Sequence, residues 1–225
     1  MSAPSHEATL PDGLVDLLAL LAYGELTAFS RLAADADLAP ALAAKAALGR
    51  LATVEFGHFE RLRARLEELT GDPDAAMEPF VVAVDAFHDR TAPTDWLEGL
   101  VKAYVGDGIA SDFYREIAAH LDPATRDLVT EVLHTSDTAE FVVATVRAEI
   151  ERDPRLAGRL ALWGRRLVGE ALSQAQRVAA DREGLAALVV GVQAGSGGDL
   201  TEVVAMFSRL TEGHRERMQR LGLTA

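Results

Sequence analysis

The chain has 225 residues, 49% of them apolar, no cysteine, and a net charge of −13 at neutral pH. That length holds one sizeable domain. The absence of cysteine removes disulfides, thiolate nucleophiles and thiolate zinc sites, and the negative charge argues against broad, non-specific phosphate binding. Aromatic residues make up only 6%, alanine and leucine dominate, and β-branched clusters are few. This composition predicts an all-α protein.

Residues 1–12 are polar and read as a mobile N-terminus with neither a basic segment nor an apolar leader core. No uninterrupted apolar stretch approaches membrane-spanning length, so a cytoplasmic protein without a membrane partner is expected. Helix A is predicted over 13–34. Its stripe runs Leu14, Leu17, Leu18, Leu21, Glu25, Phe29, Leu32, the three-and-four spacing of a core-facing surface. After a short linker, Pro40 suits the first turn of helix B, which extends to about residue 70. Its apolar stripe is Leu48, Leu51, Leu62, Leu66 and Leu69.

The short linker makes A and B an antiparallel pair. Residues 74–93 form a connection containing a short amphipathic helix around Phe80 to Phe87, long enough to carry the chain to a non-adjacent corner. Asp95 and Glu98 match a capping box that opens helix C through about Leu121. Asp122-Pro123 caps helix D, predicted to continue to about Arg152. Asp153-Pro154 repeats the signal and opens a helix with the stripe Leu160, Trp163, Leu167, Ala171, Gln174, Val178. Another helical stretch covers 185–192, Gly195 to Gly198 break the chain, and a last helix reaches about Leu221. The organisation expected is a four-helix bundle over 13–152 and a helical extension over 153–225 packed on it.

Three polar residues interrupt the apolar stripes of A and B: Glu25, Glu55 and His58. Buried carboxylates and imidazoles are costly unless they are paired or bind metal. Glu55 and His58 form Glu-x-x-His, the unit that two helices each contribute to a carboxylate-bridged di-iron site in a bundle core. The alternative is a buried Glu–His hydrogen bond. Helix C offers Asp107 and Asp112, with Gly106 and Gly108 flanking the first. Such glycines cost helix stability, and close packing or ligand access would account for them. An antiparallel C–D hairpin puts Asp107 level with about residue 137, where Thr135 and Thr138 occupy the positions wanted for ligands. A Glu-x-x-His does occur one turn earlier, at Glu131 and His134, level with Asp112. The sequence leaves three completions: the Asp112/Glu131/His134 register, substitution by Asp137, or a degraded half-site. Glu170 is read as forming surface pairs with Arg165 and Arg166, or else as facing the bundle. Arg61, Arg63 and Arg65 are read as neutralised by nearby glutamates.

Residues 13–150 resemble the ferritin-like proteins, and within them the branch of tRNA 2-methylthio-N6-isopentenyladenosine hydroxylases. The resemblance rests on Tyr23-Gly24-Glu25-Leu26, on Glu55-Phe56-Gly57-His58 followed by Phe59-Glu60, and on Asp107 with Asp112 before Phe113. It implies a ferritin-like four-helix bundle with a long B–C crossover, and a non-haem di-iron centre that uses O2 to hydroxylate an unactivated carbon. It implies Glu25, Glu55 and His58 as iron ligands, and Asp107 in place of the usual glutamate. The final Glu-x-x-His is not matched, because Thr135 and Thr138 stand there. The overall likeness is to an actinobacterial-type ferritin-like protein. A tRNA substrate is implied by the resemblance alone, and a homodimer is a further expectation. The competing expectation is a metal-free scaffold that serves as an interaction protein.

Overall fold

The computed structural model describes residues 13–118, 121, 123–132, 137–191 and 200–225. Every regular element among them is helical: α1 (Leu14–Asp35), α2 (Leu42–Thr70), α3 (Pro73–Met77), α4 (Val81–Arg90), α5 (Trp96–Ala118), α6 (Pro123–Val132), α7 (Asp137–Arg152), α8 (Arg155–Asp181), α9 (Glu183–Gly191) and α10 (Leu200–Arg220), with two short 3-10 turns. The expected all-α ferritin-like bundle is therefore present. The N-terminal residues 1–12, the Asp122 cap, His134, Thr135 and the Gly195–Gly198 break lie outside the described residues.

The apolar core is split into two clusters at opposite ends of the bundle. One joins Leu14 to Ala22 of α1 with Phe59, Leu62 and Leu66 of α2, Ile117 of α5, Val129 and Val132 of α6, and Val178 of α8. The other joins Leu32 of α1 with Leu48 and Ala52 of α2, Leu100 to Val105 of α5, Val142 and Val146 of α7, Leu160 to Leu167 of α8, and Met218 of α10. Helices α1, α2, α5 and α8 thus run from one apolar cluster to the other. Between them lies a waist where the helices carry polar residues. The stripes read from sequence on α1, α2 and α8 are the faces that enter these clusters.

Several boundaries differ from the sequence reading. The segment expected as one helix D is described as α6 and α7, with residues 133–136 outside the described set. Pro40 precedes α2 rather than sitting in its first turn, since the helix begins at Leu42. The crossover carries α3, a 3-10 turn and α4, more helix than expected. Asp95 caps α5 by accepting from the Glu98 N–H at 3.0 Å. Glu98 closes the motif on Thr94 rather than Asp95, accepting from its N–H at 2.8 Å and its hydroxyl at 2.7 Å. Residues 14–38, expected to fall short, are long and apolar enough to cross a bilayer by length and composition. Here α1 instead puts Leu14, Leu17, Leu18 and Leu21 into the core.

Polar ties fix the layers. Tyr23 on α1 donates to Asp85 on α4 at 3.0 Å, Arg182 clamps Asp16, and the Trp163 indole donates to the Glu98 carbonyl at 3.0 Å. Gly13 starts α1 at φ 88°, where a Cβ would stand 2.1 Å from the Gly184 carbonyl oxygen. Only glycine meets both the backbone conformation and that contact.

Helix α10 lies against α5 through a reciprocal notch. Arg217 pairs with Asp112 at 2.7 Å. A Cβ on Gly108 would come within 2.4 Å of Arg217 Cδ and Nε, and one on Gly213 within 2.6 Å of Asp112 Oδ2. The glycine of each helix makes room for the charged residue of the other. Around Gly106 there is open space. Gly108→Ala is therefore expected to destabilise the protein by about 1–3 kcal/mol through overpacking. Gly106→Ala should instead stabilise it by up to about 1 kcal/mol through helix propensity. Denaturant midpoints test this, and shifts of the same sign for both variants would refute the account of the notch.

Candidate metal centre

Glu25 sits on α1 between the residues that α1 gives to the two core clusters, and Glu55 and His58 hold the same place on α2. The helical period that buries Leu21 and Leu32 therefore also turns Glu25 inward. The spacing of three in Glu-x-x-His puts both side chains on one face of α2. His58 Nδ1 lies 3.3 Å from Glu55 Oε2 and 3.4 Å from Glu25 Oε2. One ligand atom from each of the three residues lies within 4.8 Å of the others. Glu55 and His58 are buried, 7% and 5% exposed.

These groups share protons. Burial, the largest influence on Glu25, raises its pKa well above the ordinary carboxylate value. Burial also opposes ionisation of Glu55, but hydrogen bonds with His58 and Glu25 outweigh it and lower that pKa. For His58, burial favours the neutral ring, and the two carboxylates override it, raising the pKa to about 9. At neutral pH the triad pairs a Glu55 carboxylate with a His58 imidazolium, and burial favours the protonated form of Glu25. Opposite charges are paired, so the buried cost is contained.

Glu25 and Glu55 of the triad border a cavity of about 430 Å³, within the range of small-molecule sites. Leu21 and Glu25 of α1, Leu51 and Glu55 of α2, Phe87 of α4, and Asp107 and Tyr114 of α5 line it. Asp107 lies outside the three-residue cluster. It stands exposed on the cavity wall, with protein packed closely around its carboxylate. Burial first, and the Glu55 charge second, raise its pKa to about 7. Tyr114 is buried, and burial followed by the charge of Glu25 raises its pKa, keeping it a phenol. Gly24 and Gly106 both line the cavity and have nothing within 4 Å of a would-be Cβ, so Gly106 answers to access and Gly108 to packing.

The remaining sequence candidates do not gather here. Glu131 is on the surface, paired with Arg61 at 2.5 Å. Asp112 is held by Arg217 at 2.7 Å and Arg115 at 3.3 Å. His134 lies outside the described residues, as does the side chain of Asp137. Glu170 pairs with Arg90 at 3.5 Å rather than with Arg165 or Arg166. Among the basic residues of α2, Arg63 meets Asp74, and only Arg65 meets a glutamate on its own helix. Two cavity residues had no place in the sequence reading, His88 and Lys102. Their signal was a cation inside the apolar run Leu100 to Val105, and a histidine one residue past Phe87.

Two carboxylates and an imidazole suit a divalent first-row metal such as iron, manganese or zinc. The donors fit one ion: three protein atoms converge, the cavity adjoins them, and the proton between His58 and the carboxylates is what an ion would displace. No second cluster of this kind occurs among the described residues.

No curated protein matches the chain. A family model described as a ferritin-like domain of actinomycetes matches residues 9–192, running past α7 into α8 and α9. With that match covering most of the helices, and with the all-α bundle that carries it, the chain belongs to the actinomycete ferritin-like domain family.

Proposed function

We propose that the chain binds one divalent metal ion, iron(II) foremost, through Glu25, Glu55 and His58, and uses it to oxidise a small organic substrate held in the adjoining cavity. The observation that supports this is the convergence of three largely buried donors, two of which, Glu25 and Glu55, stand on the wall of a ligand-sized cavity. The reading takes metal-assisted oxidation from the resemblance to the tRNA hydroxylases, and not their two-metal count, because Glu131 is engaged at the surface with Arg61. A bound iron(II) would supply Lewis acidity and reactivity towards O2.

The protein's own groups would do the rest. His58 gives up its proton to admit the ion. Asp107, with a pKa of about 7, can exchange a proton with a substrate at neutral pH. Leu21, Leu51 and Phe87 limit water.

A second reading is favoured by one observation: the triad satisfies its charges without metal. In that case it is a buried polar lock in an interaction scaffold.

The deciding experiment is anaerobic addition of Fe(II) to metal-free protein, with bound metal counted per chain. About one ion is expected. A count near two would refute the single site, and none would favour the scaffold. Glu55→Ala should weaken binding by at least about a hundredfold, whereas Asp107→Asn should keep it. Loss of metal in Asp107→Asn would make Asp107 a ligand.

Protons give an independent check. At least about one should be released per ion bound at neutral pH, from His58. Calorimetry in buffers of different ionisation enthalpy counts them, and zero release would overturn the protonation assigned to the triad.

The two forms should also respond oppositely to pH. In the metal-free protein, His58 is raised from 6.5 to about 9, so its stabilisation is complete below 6.5 and is lost as pH climbs through 9. Glu25, raised from 4.5, and Asp107, raised from 3.8 to about 7, also make stability fall with rising pH. Glu55, lowered from 4.5, contributes above that value and loses its contribution in acid. Thermal midpoints of the metal-free protein should decline from weakly acidic pH towards pH 9, while the stabilisation conferred by metal grows.

A further inference from the structure

Towards the end of the cavity formed by α4 and the start of α5, the lining turns basic. Lys102 is 7% exposed. Its ammonium donates to the Thr91 carbonyl at 2.7 Å and lies 5.6 Å from the centroid of the Phe87 ring. Among the described residues no carboxylate stands within ion-pair distance of it. Beside it is His88, whose Nδ1 is buried with no hydrogen-bond partner. Both line the cavity. The other charged groups around Lys102 are Arg31, Asp35 and Asp89. Arg31 pairs with Asp89 at 3.5 Å. Asp35, set close against Gly99, is half-buried, and burial raises its pKa.

A buried ammonium with one acceptor and a buried ring nitrogen with none are costly alone. Both residues line the same cavity, and its wall also includes Leu21, Leu32, Leu51, Val84 and Phe87. Burial first, and Arg31 with it, lower the Lys102 pKa to about 8, which leaves the group mostly cationic at neutral pH. Burial also lowers the His88 pKa to about 3, so its ring is neutral and able to give a hydrogen bond. Among the described residues, Arg31 and Asp89 are paired with each other, and Lys102 is the cation left without a carboxylate in contact, which suits a ligand carrying a single negative charge.

We infer that the cavity is a binding site for an organic monocarboxylate with an apolar body, its carboxylate taken by Lys102 with His88 as a second donor. Lys102 and Asp107 are five residues apart on α5, about 7.5 Å of helix rise, so an aliphatic chain anchored at Lys102 can extend past Val84 and Leu51 towards the triad. The inference deepens the function proposed above and rests on it only in calling the ligand a substrate. Binding itself needs no metal.

The test uses the metal-free full chain in calorimetric titration with octanoate, octanol and octylamine at neutral pH. Octanoate should bind at least about tenfold more tightly than the other two, the scale of one charge-assisted hydrogen bond. Lys102→Met should erase that preference and leave octanol unchanged, and Lys102→Arg should retain most of it. Val84→Trp should weaken octanoate and octanol alike by filling the wall. Octanoate binding no better than octanol, or unaltered in Lys102→Met, would overturn the inference. Should Lys102→Met fail to fold, as judged by circular dichroism, the octanoate-to-octanol ratio and Val84→Trp decide instead. A protein that takes octanoate but no iron would sink the metal reading and leave this one standing.

Discussion

The structure depends on a polar waist between two apolar clusters. Leucines from α1, α2, α5 and α8 seal both ends of the bundle, and that burial is the main favourable term available to an all-helical chain of this size. Because α1, α2, α5 and α8 are anchored at both ends, their middle residues are held in place whether or not they gain from it. Glu25, Glu55 and His58 are carried inward by helices whose positions the leucines fix. The cost of that placement is contained by proton sharing within the triad, or by a metal ion.

Proton sharing and metal binding compete for the same atoms. His58 Nδ1 faces both carboxylates, and the lone pair that would meet an ion now carries the proton that pairs them. A site of this kind is stable empty and loaded, and pH sets the balance between the two. The second half-site of a two-metal centre is where the chain departs from its resemblance. The carboxylate that could have supplied it, Glu131, is spent on Arg61 at the surface, and Asp112 is spent on the notch that seats α10. A position that could have served chemistry in one bundle serves assembly in this one.

The same notch gives the glycines of α5 separate meanings. Gly108 yields to the Arg217 side chain, while Gly106 leaves a hole that belongs to the cavity. That hole, the triad on one side and the buried Lys102 on the other make a chamber polar at both ends and apolar between. Such a chamber orients a molecule that has one charged end. The charge of the whole chain, −13, gives no hint of a cationic pocket inside it.

The sequence by itself determined the helical class, the apolar stripes and the three residues of the triad. Each follows from a local period: leucines at three-and-four spacing mark a buried face, and a glutamate or histidine on that face must be buried with them. The cap at Asp95 was equally local. Only the tertiary structure decided what the loose positions do. Whether Asp112 or Glu131 faces a metal depends on which arginine reaches it, and those arginines come from α10 and α2, remote in sequence. Lys102 could be seen as a cation in an apolar run, but its burial against Thr91 and Phe87, with an unpartnered His88 beside it, arises only when α4 is folded over α5. Local periodicity fixes which way a side chain points along its own helix, and the identity of what it meets is settled by packing between helices.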